Sequence, residues 1–159
     1  TVSVIQFSEK EAETHALGAA LAEILAPDGV LMMTGDLGSG KTVVTQGLAA
    51  GMGIDSRQVQ SPSFTLIREH EGSGGRLVHI DLYRLDDQEL ESLGLWEILA
   101  GPGVKAVEWG EKIPFEVPDA VQLTIQVLEP SNRRRIELSG VAENELLPGL
   151  QGTESKEQD

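Results

Sequence analysis

The sequence predicts a single α/β domain whose sheet is parallel at its centre, with antiparallel strands added at the sides and helices on both faces. Three observations predict it. Short apolar runs, Val30-Leu31-Met32-Met33 and the stretch 103–108, have the composition of strands buried on both faces. Stretches with apolar residues at helical spacing alternate with them. A glycine-rich loop, residues 35–42, joins the first run to the second helical stretch. At 159 residues and 40 % hydrophobic content, the chain is long enough to bury one core and too apolar to be wholly disordered.

Taken in order, residues 2–7 alternate as a short strand. Ser8 precedes Glu11 by three positions, the pattern of a capping box. Leu17, Ala20, Leu21, Ile24 and Leu25 then recur at helical spacing, and Pro27-Asp28-Gly29 stops the helix. Residues 41–52 read as a second helix, ended by Gly51 and Gly53. Two strands, 63–69 and 76–83, flank the turn Glu71-Gly72-Ser73-Gly74-Gly75 and predict a hairpin. Residues 87–99 read as one helix with Leu90, Leu93 and Ile98 inward, and 121–128 and 133–139 as a final strand pair. Residues 1–140 therefore form the domain, and the polar, acidic stretch 141–159 is expected to be a disordered tail.

Composition narrows the function classes. No apolar run approaches the roughly 18 to 20 residues that span a bilayer, so no membrane partner is expected. The opening residues lack the pattern of a secretory signal, and cysteine is absent, which predicts a cytoplasmic protein without disulfides or thiolate metal sites. Acids outnumber bases 26 to 12, a net charge of −14, which disfavours a protein that grips nucleic acid by itself. If RNA is involved, a partner is expected to hold it.

The loop Gly35-Asp36-Leu37-Gly38-Ser39-Gly40-Lys41-Thr42 matches the phosphate-binding P-loop pattern in full, and it follows an apolar strand and opens a helix. This makes the fold class a P-loop NTPase-like sheet. Glycines let successive backbone N–H groups surround an anion, and the helix start adds its unpaired N–H groups and positive dipole end. Lys41 is expected to reach the β- and γ-phosphates, and the Thr42 hydroxyl to ligate Mg²⁺. A second acid is needed at a strand's carboxyl end, and both Asp81 and Glu108 qualify. One would hold the metal while the other orients the attacking water, and the sequence leaves the assignment open. No Asn-Lys-x-Asp segment for reading guanine occurs, so ATP is the expected nucleotide. A small-molecule kinase is the alternative, and a nucleotide-gated binding module a third reading. Residues 61–65 offer hydroxyls that suit a γ-phosphate switch. His79 reads as a structural histidine rather than a base.

Four segments together, GDLGSGKT at 35–42, SPSFTL at 61–66, HIDLYRL at 79–85 and VEWG at 107–110, resemble the TsaE family of bacterial P-loop ATPases. The resemblance spans residues 2–140. It implies a role in forming N6-threonylcarbamoyladenosine in tRNA, through binding to a TsaB–TsaD-like heterodimer that performs the transfer and contacts the tRNA. ATP hydrolysis would permit repeated turnover. Matched residue by residue, Gly38, Ser39, Gly40, Lys41 and Thr42 would wrap the phosphates, with Val43 among the nucleotide-binding positions. Glu108 corresponds to the metal-linked acid, Trp109 to an aromatic beside the nucleotide, and Asp81 to an acid with catalytic or metal-orienting work. Arg133 falls where a nucleotide contact is expected, and Ser8 and Glu9 lie where the N-terminal segment meets the base. Arg84 is expected at the partner interface. The chain departs from the family pattern at Ser63, Val43 and His70, none of which is expected to touch the phosphate chemistry.

Overall fold

Eight strands form one mixed sheet in the order β3-β4-β5-β2-β6-β7-β1-β8. In the computed structural model, which describes residues 2–60, 66–141 and 154–157, the strands are β1 (Val2–Ser8), β2 (Val30–Thr34), β3 (Ile67–Gly72), β4 (Gly75–Asp81), β5 (Val104–Glu108), β6 (Val121–Leu128), β7 (Arg133–Ser139) and β8 (Glu154–Glu157). The helices are α1 (Glu11–Leu25), α2 (Lys41–Gly51), α3 (Asp87–Ser92) and α4 (Leu95–Ala100). Strands β4, β5, β2 and β6 run parallel, while β3, β7, β1 and β8 join antiparallel to their neighbours. The expected α/β architecture is therefore present, with the apolar runs at its centre.

Alternation along the strands divides the core in two. Leu31, Met33, Leu77, Ala106, Leu123 and Ile125 face α1 and α2. Met32, Val78, Ile80 and Val107 face α3, α4 and the segment carrying Ile113, Phe115 and Val117. Burying each such large side chain contributes about 1.5–3 kcal/mol, so the four central strands are anchored from both sides. That rigidity fixes where their carboxyl ends stand. At the opposite end, buried Lys105 donates to the carbonyls of Asp28 (2.8 Å) and Gly101 (2.6 Å), tying β5 to the chain turns that precede β2 and follow α4. Among the described residues no helix is long and apolar enough to cross a membrane.

Three sequence expectations are corrected. The helix expected over 87–99 is two helices, because Gly94 adopts a left-handed conformation (φ 71°) and turns the chain between α3 and α4. The capping box at Ser8 and Glu11 does not form. Ser8 is the buried end of β1, and its hydroxyl donates to the Lys10 carbonyl and meets Thr14 Oγ1 at 2.7 Å; Glu13 instead accepts from the Glu9 N–H at 2.6 Å. The tail expected to be disordered contributes β8, which pairs antiparallel with β1 from Val2 to Ile5. The hairpin forms as expected, with β3 and β4 turning through Ser73-Gly74.

Candidate nucleotide site

The carboxyl ends of β2, β4 and β5 converge on one cleft of about 530 Å³, lined by the loop that leaves β2, the first turn of α2, and residues following β4 and β5. Its floor follows from parallel pairing. Asp81 and Glu108 are register partners on β4 and β5, and Met33 of β2 lies opposite Glu108. The acids that end two apolar strands are thus level with each other and with the start of the glycine-rich loop.

Within that loop, Gly38 (φ 75°) and Gly40 (φ 123°) take backbone conformations that side chains disfavour, and a Cβ on Gly38 would point into open space beside the cleft. The chain then enters α2 at Lys41, so the helix's unpaired N–H groups face the same opening. Lys41 is almost wholly buried. Its ammonium folds back to donate to the carbonyls of Gly35 and of Asp36 (2.9 Å), and it lies 4.5 Å from the centre of the Trp109 ring. Burial pulls the Lys41 ammonium below the ordinary lysine range, opposed by the carboxylates of Glu108, Glu111, Asp81 and Asp36. Trp109 itself sits in the left-handed region (φ 62°), uncommon for an aromatic residue, and its ring stacks at 4.9 Å on Tyr83.

Thr42 and Glu108 are already joined: the Thr42 hydroxyl donates to Glu108 Oε1 at 3.2 Å. The other carboxylate oxygen, Oε2, lies 2.5 Å from Nε2 of fully buried His79. Asp81 accepts from the Tyr83 N–H at 3.0 Å through Oδ1. Among the described residues no cluster of three or more His, Cys, Asp or Glu side chains forms a metal site. A divalent cation here would therefore take the Thr42 hydroxyl, the nearby carboxylates and oxygens of a bound ligand, the way magnesium is commonly held. The donor set suits that cation and a polyphosphate. A hydroxyl with free lone pairs, two acids, one buried ammonium and a run of glycine N–H groups face one space.

A second cleft of about 230 Å³ opens on the other side of the loop. Ser8, Glu9, Lys10, Glu11 and Thr14 form one wall and Asn132 and Arg134 another, and Gly38, Gly40 and Val43 are shared with the first cleft. Ser8, Glu9 and Val43 thus line this cleft beside the loop. Arg133 does not line either cleft. Its guanidinium stacks 4.3 Å from the Phe7 ring and pairs with Glu9 at 2.5 Å. Arg134 is the arginine that reaches the loop, donating to the Ser39 carbonyl at 3.0 Å and to the Gly38 carbonyl at 3.5 Å. Strand period explains the difference. Arg134 shares a face with buried Ile136 and Leu138, while Arg133 and Arg135 point to the other side. Ser39 is buried in the loop, and among the described residues its hydroxyl has no partner. Arg84 lines the main cleft beside Tyr83, and the switch expected at 61–65 lies outside the described residues.

Comparison with known proteins agrees with this geometry. The family model for the threonylcarbamoyl adenosine biosynthesis protein TsaE matches residues 8–136. A Nostoc protein named tRNA threonylcarbamoyladenosine biosynthesis protein TsaE is 39 % identical over 134 residues, 82 % of each chain. A Bacillus subtilis protein of the same name is 44 % identical over 115 residues, 72 % of each chain. A crystal structure of YdiB from Bacillus subtilis superposes with a TM-score of 0.72 at 32 % identity, covering 91 % of this chain and 90 % of that one. With the match running from the end of β1 into β7, and so across the whole cleft, the chain belongs to the TsaE family.

Proposed function

We propose that this chain binds ATP with Mg²⁺ in the main cleft and hydrolyses it in support of tRNA threonylcarbamoyladenosine formation. It would do so in the cytoplasm as the partner of a TsaB–TsaD-like heterodimer that holds the tRNA. One observation carries the reading: Lys41, Thr42, Asp81 and Glu108, drawn from three separate segments, meet at one opening beside a glycine-rich loop and a helix start.

The side chains divide the work. Lys41 exchanges the carbonyls of Gly35 and Asp36 for phosphate oxygens, which satisfies the ammonium with a stronger, charged acceptor. The α2 N–H groups and the loop amides hold the remaining phosphate oxygens. Thr42 spends its single proton on Glu108, so its lone pairs stay directed at the cleft. A bound magnesium ion would withdraw charge from the phosphoryl group. Asp81, level with Glu108 and lining the cleft, would orient a water. Tyr83 and Trp109 line one side with their rings in contact. Thirty-eight charged groups with a surplus of acids suit a subunit that leaves the tRNA phosphates to others.

Turnover of ATP should be slow for the chain alone and rise when the heterodimer is added. Thr42→Ala should weaken use of Mg²⁺-ATP, and Glu108→Ala should reduce hydrolysis far more than it reduces ADP binding. Absence of heat on titrating folded protein with Mg²⁺-ATP, with and without the heterodimer, would refute the proposal outright.

A further inference from the structure

We propose that His79 is a positioning residue: it locks the carboxylate of Glu108, and through it aims the Thr42 hydroxyl into the cleft. The inference rests on the nucleotide reading above for its consequence, but its geometry stands in the free protein.

His79 sits in β4 between Leu77 and Asp81 on the face packed against α2, and it is fully buried. Its register partner is Ala106, two residues before Glu108 on β5. Nε2 meets Glu108 Oε2 at 2.5 Å, whereas Nδ1 is buried and, among the described residues, has no hydrogen-bond partner. That asymmetry fixes the tautomer. A proton on Nδ1 would bury a donor with no acceptor and leave two lone pairs facing each other across the 2.5 Å contact. Nε2 therefore carries the proton that it donates to Oε2.

Glu108 is then held at both oxygens, by His79 at Oε2 and by Thr42 at Oε1. Two donors on opposite oxygens fix the plane of the carboxylate, and a fixed Oε1 consumes the Thr42 proton in one direction. Without His79, the carboxylate can rotate about its last torsion, which is broad and weakly preferred. The surroundings of His79 include Leu77 and Ala106, both fully buried, and among the described residues Nδ1 is an unpaired nitrogen buried there, a penalty of about 1–3 kcal/mol. A buried polar ring at one remove from the reacting groups has the profile of a positioning role.

Two measurements test this. First, ¹⁵N spectra of the histidine rings in the free protein, which has three histidines, should show the Nε2 of His79 carrying a proton. A ring protonated at Nδ1 alone would overturn the proposal. Second, nucleotide binding read from Trp109 fluorescence in a Trp96→Phe background should be titrated with magnesium for His79→Met, His79→Asn and His79→Gln. Glutamine carries an N–H at the reach of Nε2; asparagine and methionine do not. Half-saturating magnesium should rise by roughly 10- to 100-fold in the Met and Asn variants, as for other partners that orient metal-site ligands. The Gln variant should recover most of the loss, and binding of ATP in the presence of a chelator should be alike in all of them. Equal magnesium dependence for Gln and Asn would overturn the proposal. If the Met variant does not fold by circular dichroism, the Gln–Asn contrast and the tautomer decide. A parent protein that binds no Mg²⁺-ATP would refute the proposed function, while the tautomer would still judge His79.

Discussion

Replacing Gly47 with alanine tests how closely α1 and α2 must approach for the loop between β2 and α2 to keep its shape. A Cβ at Gly47 would lie 1.9 Å from the His15 carbonyl oxygen, 2.8 Å from its carbon and 3.1 Å from the Ala19 nitrogen. All three are backbone atoms of α1, so no side-chain rotation clears the clash, and the gap must widen toward the 3.4 Å of ordinary contact. On an exposed helix the same change would gain about 1 kcal/mol from helix propensity. Overpacking of this kind costs about 1–3 kcal/mol, so the sign should reverse. At about 2–4 °C per kcal/mol for a chain of this size, the melting midpoint should fall by several degrees. The displacement also reaches the site. Helix α2 begins at Lys41, and the Thr42 hydroxyl spans 3.2 Å to Glu108, so parting the helices lengthens a contact already near the limit of a hydrogen bond. Thermal and urea unfolding of Gly47→Ala beside the parent would measure the first effect, and magnesium-dependent nucleotide binding the second. A midpoint at or above that of the parent would show that the two helices are not in the close contact described.

Two further outcomes follow from the cleft. Lys41→Met should abolish tight nucleotide binding and remove the pH-dependent penalty that arises because burial lowers the Lys41 pKa. The unfolded chain then holds more protons between the folded pKa and the ordinary value of 10.5, so the penalty is fully present below that window and fades as pH rises through it. The urea midpoint of the parent should rise relative to that of the variant on going from pH 7 to pH 10, and the absence of such a rise would contradict this. Arg134→Ala should weaken nucleotide binding by roughly two- to tenfold, the worth of a hydrogen bond to the loop, while Arg133→Ala leaves it nearly unchanged. Calorimetry on the two variants decides between the neighbouring arginines.

The part of the fold that positions the cleft was legible because local signals and tertiary structure agree there. Residues 30–33 and, apart from Lys105, 104–107 are apolar because both sides of the sheet are covered, and glycines 38 and 40 are needed where φ is positive. Lys41, Thr42, Asp81, Glu108 and Trp109 come together as their motifs imply. What escaped the sequence depends on pairing across the sheet. Whether His79 is a packed ring or a donor to Glu108 is decided by the register of β4 on β5, which periodicity does not encode. The choice of Arg134 over Arg133 was available in principle, since Ile136 and Leu138 set the period of β7, but a run of three arginines hides it. Gly94 broke the helix over 87–99 because a left-handed glycine, compatible with a helix's spacing pattern, is incompatible with its backbone.

On the proposed reading, the charges around Lys41 would give the cation a part beyond the chemistry. Four carboxylates, Asp36, Asp81, Glu108 and Glu111, act on the Lys41 ammonium, and two of them, Asp81 and Glu108, line the cleft with Lys41 and Arg84, so they would oppose a bare polyanion there. A bound divalent ion would offset the negative field at the carboxylate end and favour entry of the phosphates. The carboxylates would then serve as a check that nucleotide arrives with its metal. Asp81→Asn, which keeps the shape and the acceptor for the Tyr83 N–H, should tighten metal-free ATP binding by about 1 kcal/mol, roughly fivefold, while lowering turnover with magnesium. Titrating ATP against both proteins in chelator and then in excess magnesium measures both effects. If the variant binds metal-free ATP no better than the parent, the acids do not oppose the bare nucleotide, and the cation's role is confined to the reaction itself.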